Sequence, residues 1–296
     1  MLRVAALDVG SNSVRLLVAD VRGGLFLPVL QDRITSRLYA GLKDGMLHPD
    51  SIARTADAIG QLAQRAREAG ATEIYGYGTS AMRDGQNRDV LVQAAADMGV
   101  SLELLSGHQE AALSYLGAAP DGRAGVVDIG GGSTEIMAGE QGKVLAAASA
   151  QMGAVRLSEQ MKDIIAPDEM VHRAMAVLAP IYAEVRHVPV DGWIGIGGTI
   201  TSLAAMDLQL ASYDAARIEH HPVTAELAHA WLIKLCGMTM KQRQQVTGMN
   251  PARADIMPYG TAILCAFFAL SGAQQLLASD KDALTGSLLE RFINLK

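Results

Sequence analysis

The sequence predicts an α/β protein of two related domains, each built around the same strand–glycine turn–strand unit. Three observations lead there. Apolar strands alternate with helical stretches, which argues for mixed layers rather than bundles or sandwiches. A strand–Asp–glycine–hydroxyl–strand unit occurs once in each half, and a third glycine turn, "GIGGT", follows a strand near residue 195. At 296 residues, 50% of them apolar and 4% aromatic, the chain has room for two cores.

"VAALDV" and "VRLLVADV" are two strands joined by a Gly/Ser/Asn turn, hence a hairpin. "SIARTADAIGQLAQRAREAG" puts Ile52, Ala56, Ile59, Ala63 and Ala66 on one helical face and stops at Gly70. "EIYGYGTS" reads as a short strand, "NRDVLVQAAADMG" as a helix, "VSLELL" as a strand and "QEAALSYLG" as a helix. "AAPDGRAG", residues 118–125, breaks the pattern with Pro, Asp and Gly. The expected boundary lies there, giving an N-terminal domain over 1–120 and a C-terminal domain over 121–296.

The repeat is gapless: "VAALDVGSNSVRLLVAD" lies over "AGVVDIGGGSTEIMAGE". Asp8 falls on Asp128, Gly10 on Gly130, Ser13 on Ser133 and Arg15 on Glu135, while "SRL" at Ser36 and "VRL" at Val155 match one residue out of step. A glycine-rich turn after a strand gives up backbone entropy, and close approach of backbone N–H groups to phosphate offsets that loss. The two turns are therefore expected on either side of a cleft. Gly130, Gly131, Gly132, Ser133 and Thr134 would cradle oxygens on one side, and Ser11, Asn12 and Ser13 on the other. Gly197, Gly198 and Thr199, at a strand-to-helix turn, add a further anion site at a helix N-terminus.

The formal net charge of −6 predicts no general attraction to nucleic acid or anionic membrane. Cys236 and Cys265, isolated in apolar segments, read as reduced buried thiols. Asp8 interrupts any leader at the start, and "TAILCAFFAL" is too short to span a bilayer. A soluble, cytoplasmic protein is expected.

At this point the sequence resembles the actin-like ATPase superfamily, and within it the exopolyphosphatase and guanosine pentaphosphate phosphohydrolase family. Six stretches carry the resemblance in order: "ALDVGSNSVRLLVAD", "GTSAMRDGQNRDVL", "LLSGHQEAALSYLG", "VVDIGGGSTEIMAGE", "GIGGTITSLAAM" and "NPARADIMPYGTAIL". It implies two actin-like (ribonuclease H-like) domains. It also implies removal of a terminal phosphoryl group from polyphosphate or guanosine pentaphosphate, with Mg²⁺ or Mn²⁺ and with water as nucleophile. The water-activating Glu of the family falls at Glu110, its second important Glu at Glu135, and its phosphate-binding Arg at Arg83.

Such a reaction needs charge neutralisation, in-line placement and an oriented water. Asp8 and Asp128, at strand ends, are the natural metal-side carboxylates, directly or through water, with Glu135 able to join them. Arg15 and Arg37 are weaker candidates for lining the approach, and "RAD" at 253–255 is read as starting the closing helix and joining the domains. Gln109 stands where many family members carry a Glu, and the chain stops at Lys296, short of the helical domains of long relatives. Short polyphosphate or a nucleotide is thus favoured over long chains, and the dimers common in the family are an open expectation. Two other readings remain: an ATP-dependent small-molecule kinase of the same fold, and a non-catalytic sensor of guanosine tetraphosphate or polyphosphate.

Overall fold

The computed structural model describes residues 2–22, 25–118, 122–161 and 166–293. The chain divides into two compact units, one of Met1–Gly117 with Ala283–Lys296 and one of Ala118–Asp282. The position expected for the boundary, between 120 and 121, lies outside the described residues. The expectation that everything after it belongs to the second domain is corrected, because the last helix packs with the first unit.

In the first unit β1 (Leu2–Val9), β2 (Ser13–Arg22) and β3 (Leu25–Thr35) form an antiparallel meander. After α1 (Pro49–Glu68) comes β4 (Glu73–Gly78), then α2 (Ser80–Asp84), α3 (Asp89–Asp97), β5 (Ser101–Leu104) and α4 (Gly107–Ala118). The sheet order is β3-β2-β1-β4-β5, with β4 parallel to β1 and β5 parallel to β4. Val4 to Leu7 on β1 have no exposed surface, as a central strand covered on both faces requires. The predicted helix is α1. His48 caps it, accepting from the Asp50 N–H at 3.2 Å, and Pro49 occupies its first turn. Its buried face takes in Ile52, Ile59, Ala63 and Ala66 as expected, joined by Thr55, Ala58 and Leu62, while Ala56 is only partly buried.

The second unit repeats the plan. β6 (Arg123–Ile129), β7 (Thr134–Glu140) and β8 (Lys143–Ala150) form its meander. They are followed by α5 (Ala154–Met161), α6 (Pro167–Val185), β9 (Gly192–Ile196), α7 (Gly198–Asp207), α8 (Ala215–Ile218), β10 (Pro222–Thr224), α9 (Ala225–Cys236), α10 (Met240–Gln244), α11 (Met257–Ser271) and β11 (Gln275–Ala278). The order β10-β11-β9-β6-β7-β8 places β9 parallel to β6 as β4 is to β1. The core centres on α11, whose Phe267 meets Trp193 edge-on at 4.8 Å. Among the described residues no helix is long and apolar enough to cross a membrane.

The last helix, α12 (Ala283–Ile293), returns to the first unit, where Ala283, Leu284 and Leu288 join Val4, Ala6, Leu17 and Ala19 in one apolar cluster. Gly286 permits the approach: a Cβ there would stand 1.9 Å from the Leu113 carbonyl oxygen on α4.

Burial pushes the Cys265 thiol up to about 12, with the neighbouring Cys236 adding to the shift. A thiol that ionises more readily unfolded than folded stabilises the fold below its unfolded pKa, and that stability is lost as pH rises toward the folded value. Thermal stability is therefore expected to fall between about pH 9 and pH 12, with a shallower decline in Cys265→Ala, followed by melting at several pH values. Equal slopes for both proteins would contradict the burial of the thiolate as the cause.

Candidate active site

The two hairpins match residue for residue. On β1–β2, Asp8 lies opposite Arg15 and Val9 opposite Val14, and the Gly10 N–H closes the turn onto the Ser13 carbonyl at 3.1 Å. On β6–β7, Asp128 lies opposite Glu135 and Ile129 opposite Thr134, and the Gly130 N–H closes onto the Ser133 carbonyl at 3.0 Å.

Each turn is held from behind by the segment that follows the third strand of its meander. The N–H groups of Ser36 and Arg37 both donate to the Asn12 carbonyl, at 3.1 and 2.9 Å, and Tyr39 donates to Ser11. In the second unit Val155 and Arg156 both donate to the Gly131 carbonyl, at 2.8 and 3.1 Å, and Ala154 donates to Gly130. Docking on Asn12 in one turn and Gly131 in the other accounts for the one-residue slip between "SRL" and "VRL". Among the described residues, no protein acceptor takes the N–H of Ser11, Asn12, Gly131 or Gly132. Carbonyls bound to the scaffold and amides left to donate are what an anion cradle requires.

The second turn has further supports. The Arg156 Nε donates to the Gly132 carbonyl at 2.7 Å, and the Thr134 hydroxyl donates to the Met152 carbonyl at 2.5 Å. Gly153 lies directly against the turn, where a Cβ would stand 2.4 Å from the Gly131 carbonyl carbon and 2.5 Å from the Gly132 nitrogen.

The repeat diverges at one position. In the first unit Asp8, 6% exposed, accepts through Oδ2 from Arg15 Nε at 2.9 Å. In the second unit the position of Arg15 is taken by Glu135, 1% exposed, which accepts from the Ser149 hydroxyl at 2.7 Å. Asp128, Glu135 and Ser149 are register partners across β6, β7 and β8, so their side chains share one face. Where the first unit has an ion pair, the second has two adjacent carboxylates, a donor set for a hard cation that keeps waters and substrate oxygens. Asp8, expected beside them as a metal ligand, has its charge offset by Arg15. No group of three or more His, Cys, Asp or Glu placed to hold a metal occurs among the described residues.

Glu110 and Arg83, predicted separately, meet in one contact. Arg83 in α2 donates through Nη1 to Glu110 Oε2 at 2.6 Å and to the Leu105 carbonyl at 3.0 Å, with both side chains mostly buried. Glu110 lies in the first turn of α4, which favours a carboxylate. Gln109 has its own task. Its Oε1 accepts from the Ser106 N–H at 2.9 Å while the Ser106 hydroxyl accepts from the Gln109 N–H at 3.3 Å, a capping box. A neutral residue fills that role as well as Glu.

The Gly197–Gly198–Thr199 turn stands next to Asp128. Gly197 has φ 89°, and a Cβ on it would lie 2.8 Å from Asp128 Oδ1 and 2.7 Å from the Ile129 carbonyl oxygen. Thr199 is fully buried and its hydroxyl has no hydrogen-bond partner among the described residues. The Arg253 guanidinium also lies at this turn, with Cζ 2.6 Å from the position of a Gly198 Cβ. Arg156 is a basic residue at these turns that sequence reasoning passed over, and Arg253 was read as a helix start and domain joint rather than as part of the glycine turn. The "VRL" echo of "SRL" was a usable signal for the first, and nothing local announces the second.

Paired α/β units, each with an Asp–Gly hairpin turn stripped for anion binding, define a phosphate-handling protein of the actin-like fold. The chain belongs to the Ppx/GppA phosphatase family, whose model matches residues 17–291. It is 38% identical to the protein named exopolyphosphatase 2 from Mycobacterium tuberculosis, over 97% of this chain and 98% of that one. It is 30% identical to the guanosine-5'-triphosphate,3'-diphosphate pyrophosphatase of Vibrio atlanticus, over 96% of this chain but 57% of that protein. The crystal structure of an exopolyphosphatase-like protein superposes over all of both chains with a TM-score of 0.91 at 27% identity. That of the Aquifex aeolicus PPX-GPPA enzyme superposes over 98% of this chain and 99% of its own, with a TM-score of 0.80 at 28% identity.

Proposed function

We propose that the protein hydrolyses the terminal phosphoanhydride of inorganic polyphosphate, chiefly short chains, or of guanosine pentaphosphate, releasing orthophosphate. The observation that carries this reading is the contact between Arg83 and Glu110, which fixes a carboxylate at a helix start. A carboxylate so placed can take the proton of an attacking water, a group for which a passive sensor has no use. The near full-length likeness to a protein named exopolyphosphatase supports the substrate class.

In this reading the amides of Ser11 and Asn12, with Ser13 at the edge, are the anion donors of the first unit's turn, and those of Gly131 and Gly132, with Ser133 and Thr134 at the edge, are the anion donors of the second unit's turn. Gly197, Gly198 and Thr199 hold a further oxygen at the α7 N-terminus. Glu110 accepts the proton of the attacking water, and Arg83 keeps its carboxylate oriented. Asp128 and Glu135 are the pair fitted to hold Mg²⁺ or Mn²⁺, and Asp8 would act only through water. The ion supplies neutralisation of the phosphoryl oxygens.

Phosphate release with Mg²⁺ from short polyphosphate, long polyphosphate, guanosine pentaphosphate and ATP tests the reading. Release from short polyphosphate or guanosine pentaphosphate, with no acceptor added, is expected. Binding of these compounds without release would make the protein a sensor, and turnover only with an added acceptor would make it a kinase.

A further inference from the structure

We propose that Ser36 and Arg37, together with Ser11, form a subsite for a second phosphate of the substrate, one that is not released. The proposal rests on the phosphohydrolase reading and deepens it, because it selects substrates with several phosphates over those with few. Two buried hydroxyls belong to this corner, one on Ser11 in the turn and one on Ser36 in the segment whose N–H groups dock on the turn. Ser11 is 3% exposed and Ser36 is 1% exposed, and neither hydroxyl has a hydrogen-bond partner among the described residues. Buried hydroxyls are rarely left so, and an incoming oxyanion accepts from both.

Arg37 adds charge at the same place. Its N–H and that of Ser36 share the Asn12 carbonyl, so its backbone is tied to the turn while its side chain is exposed. It holds φ 54°, in the left-handed region, which an arginine adopts at a penalty and a glycine does not. Strain of this kind at a non-glycine residue points to a task for the side chain. The related Arg156 uses its guanidinium on Gly132 and Gln151, so the second turn is clasped by its arginine. Basic groups surround the corner: Arg33 is the register partner of Arg15, and Arg54 donates to the Ser36 carbonyl at 3.3 Å. A guanidinium suits a phosphate better than an ammonium does.

The test compares wild type with Arg37→Gly, Arg37→Asn and Ser36→Ala. Glycine and asparagine both tolerate the left-handed backbone, so melting temperatures should match or exceed wild type. KM for tripolyphosphate should rise about tenfold in both arginine variants, the loss of one charge-assisted contact, with kcat within about threefold. Ser36→Ala should raise KM by a smaller factor, and Arg37→Lys should recover part of the affinity. Calorimetric binding of tripolyphosphate gives a readout independent of turnover. Wild type that binds tripolyphosphate but releases nothing, with binding lost in Arg37→Gly, would keep the subsite and defeat the hydrolase reading. Unchanged KM and unchanged binding in Arg37→Gly and Arg37→Asn would overturn the subsite, whatever the activity.

Discussion

Glu110→Gln is expected to lower kcat by about 10²- to 10⁴-fold, the range that general-base catalysis contributes, while leaving the fold and substrate binding largely in place. The substitution is close to isosteric. Glutamine keeps an acceptor for Arg83 Nη1, which now holds the carboxylate at 2.6 Å, but it cannot take a proton from water. The contact changes from an ion pair to a hydrogen bond between the guanidinium and a neutral carbonyl, which removes about 1–2 kcal/mol at most for a pair that still retains some solvent. KM within about threefold of wild type, a melting temperature lowered by a few degrees and near-silent turnover form the expected pattern. Full activity in the variant would show that another group activates the water. A collapse of Tm would assign Glu110 to the scaffold, since its contact with Arg83 also ties α2 to α4.

The second large effect is predicted for a residue that touches no substrate. Gly153→Ala puts a methyl group within 2.4–2.5 Å of three backbone atoms of Gly131 and Gly132, so the turn must shift. That turn is laced to the start of α5 through Ala154, Val155 and Arg156, which leaves it little room to retreat. Overpacking of this sort is destabilising by about 1–3 kcal/mol. The larger loss is expected in catalysis, because a displacement of about 1 Å of positioning groups can lower rate by about 10²-fold. Measured together, kcat/KM should fall about a hundredfold while the protein still melts cooperatively. Wild-type kinetics in Gly153→Ala would remove the second turn from the site.

Much of this was legible in the residues. The gapless overlay of the repeat set Asp8 on Asp128 and Arg15 on Glu135, and the register pairs reproduce it. Regular helices such as α1 and central strands such as β1 announced themselves because burial imposes a period. The third strand of each meander did not. β3 is an edge strand carrying Pro28, Asp32 and Arg33 with a bulge beside it, and β8 is an alanine run with no strand alternation, so neither shows a two-residue period. The Arg83–Glu110 contact spans 27 positions, a closure that no local pattern encodes. The same holds for Arg253 against Gly198 and for the return of α12, both products of packing at long range.

That return has a consequence for the order in which the protein is made. The second unit is continuous in sequence, whereas the first lacks a core helix until residues 283–293 have been synthesised. As the chain leaves the ribosome, the apolar cluster of Val4, Ala6, Leu17 and Ala19 can gather Tyr75, Tyr77, Leu105 and Leu113 but lacks Ala283, Leu284 and Leu288 through synthesis of the whole second unit. The first unit is therefore completed after the second, and the Glu110-bearing helix gains its α12 neighbour only once residues 283–293 have followed the whole second unit.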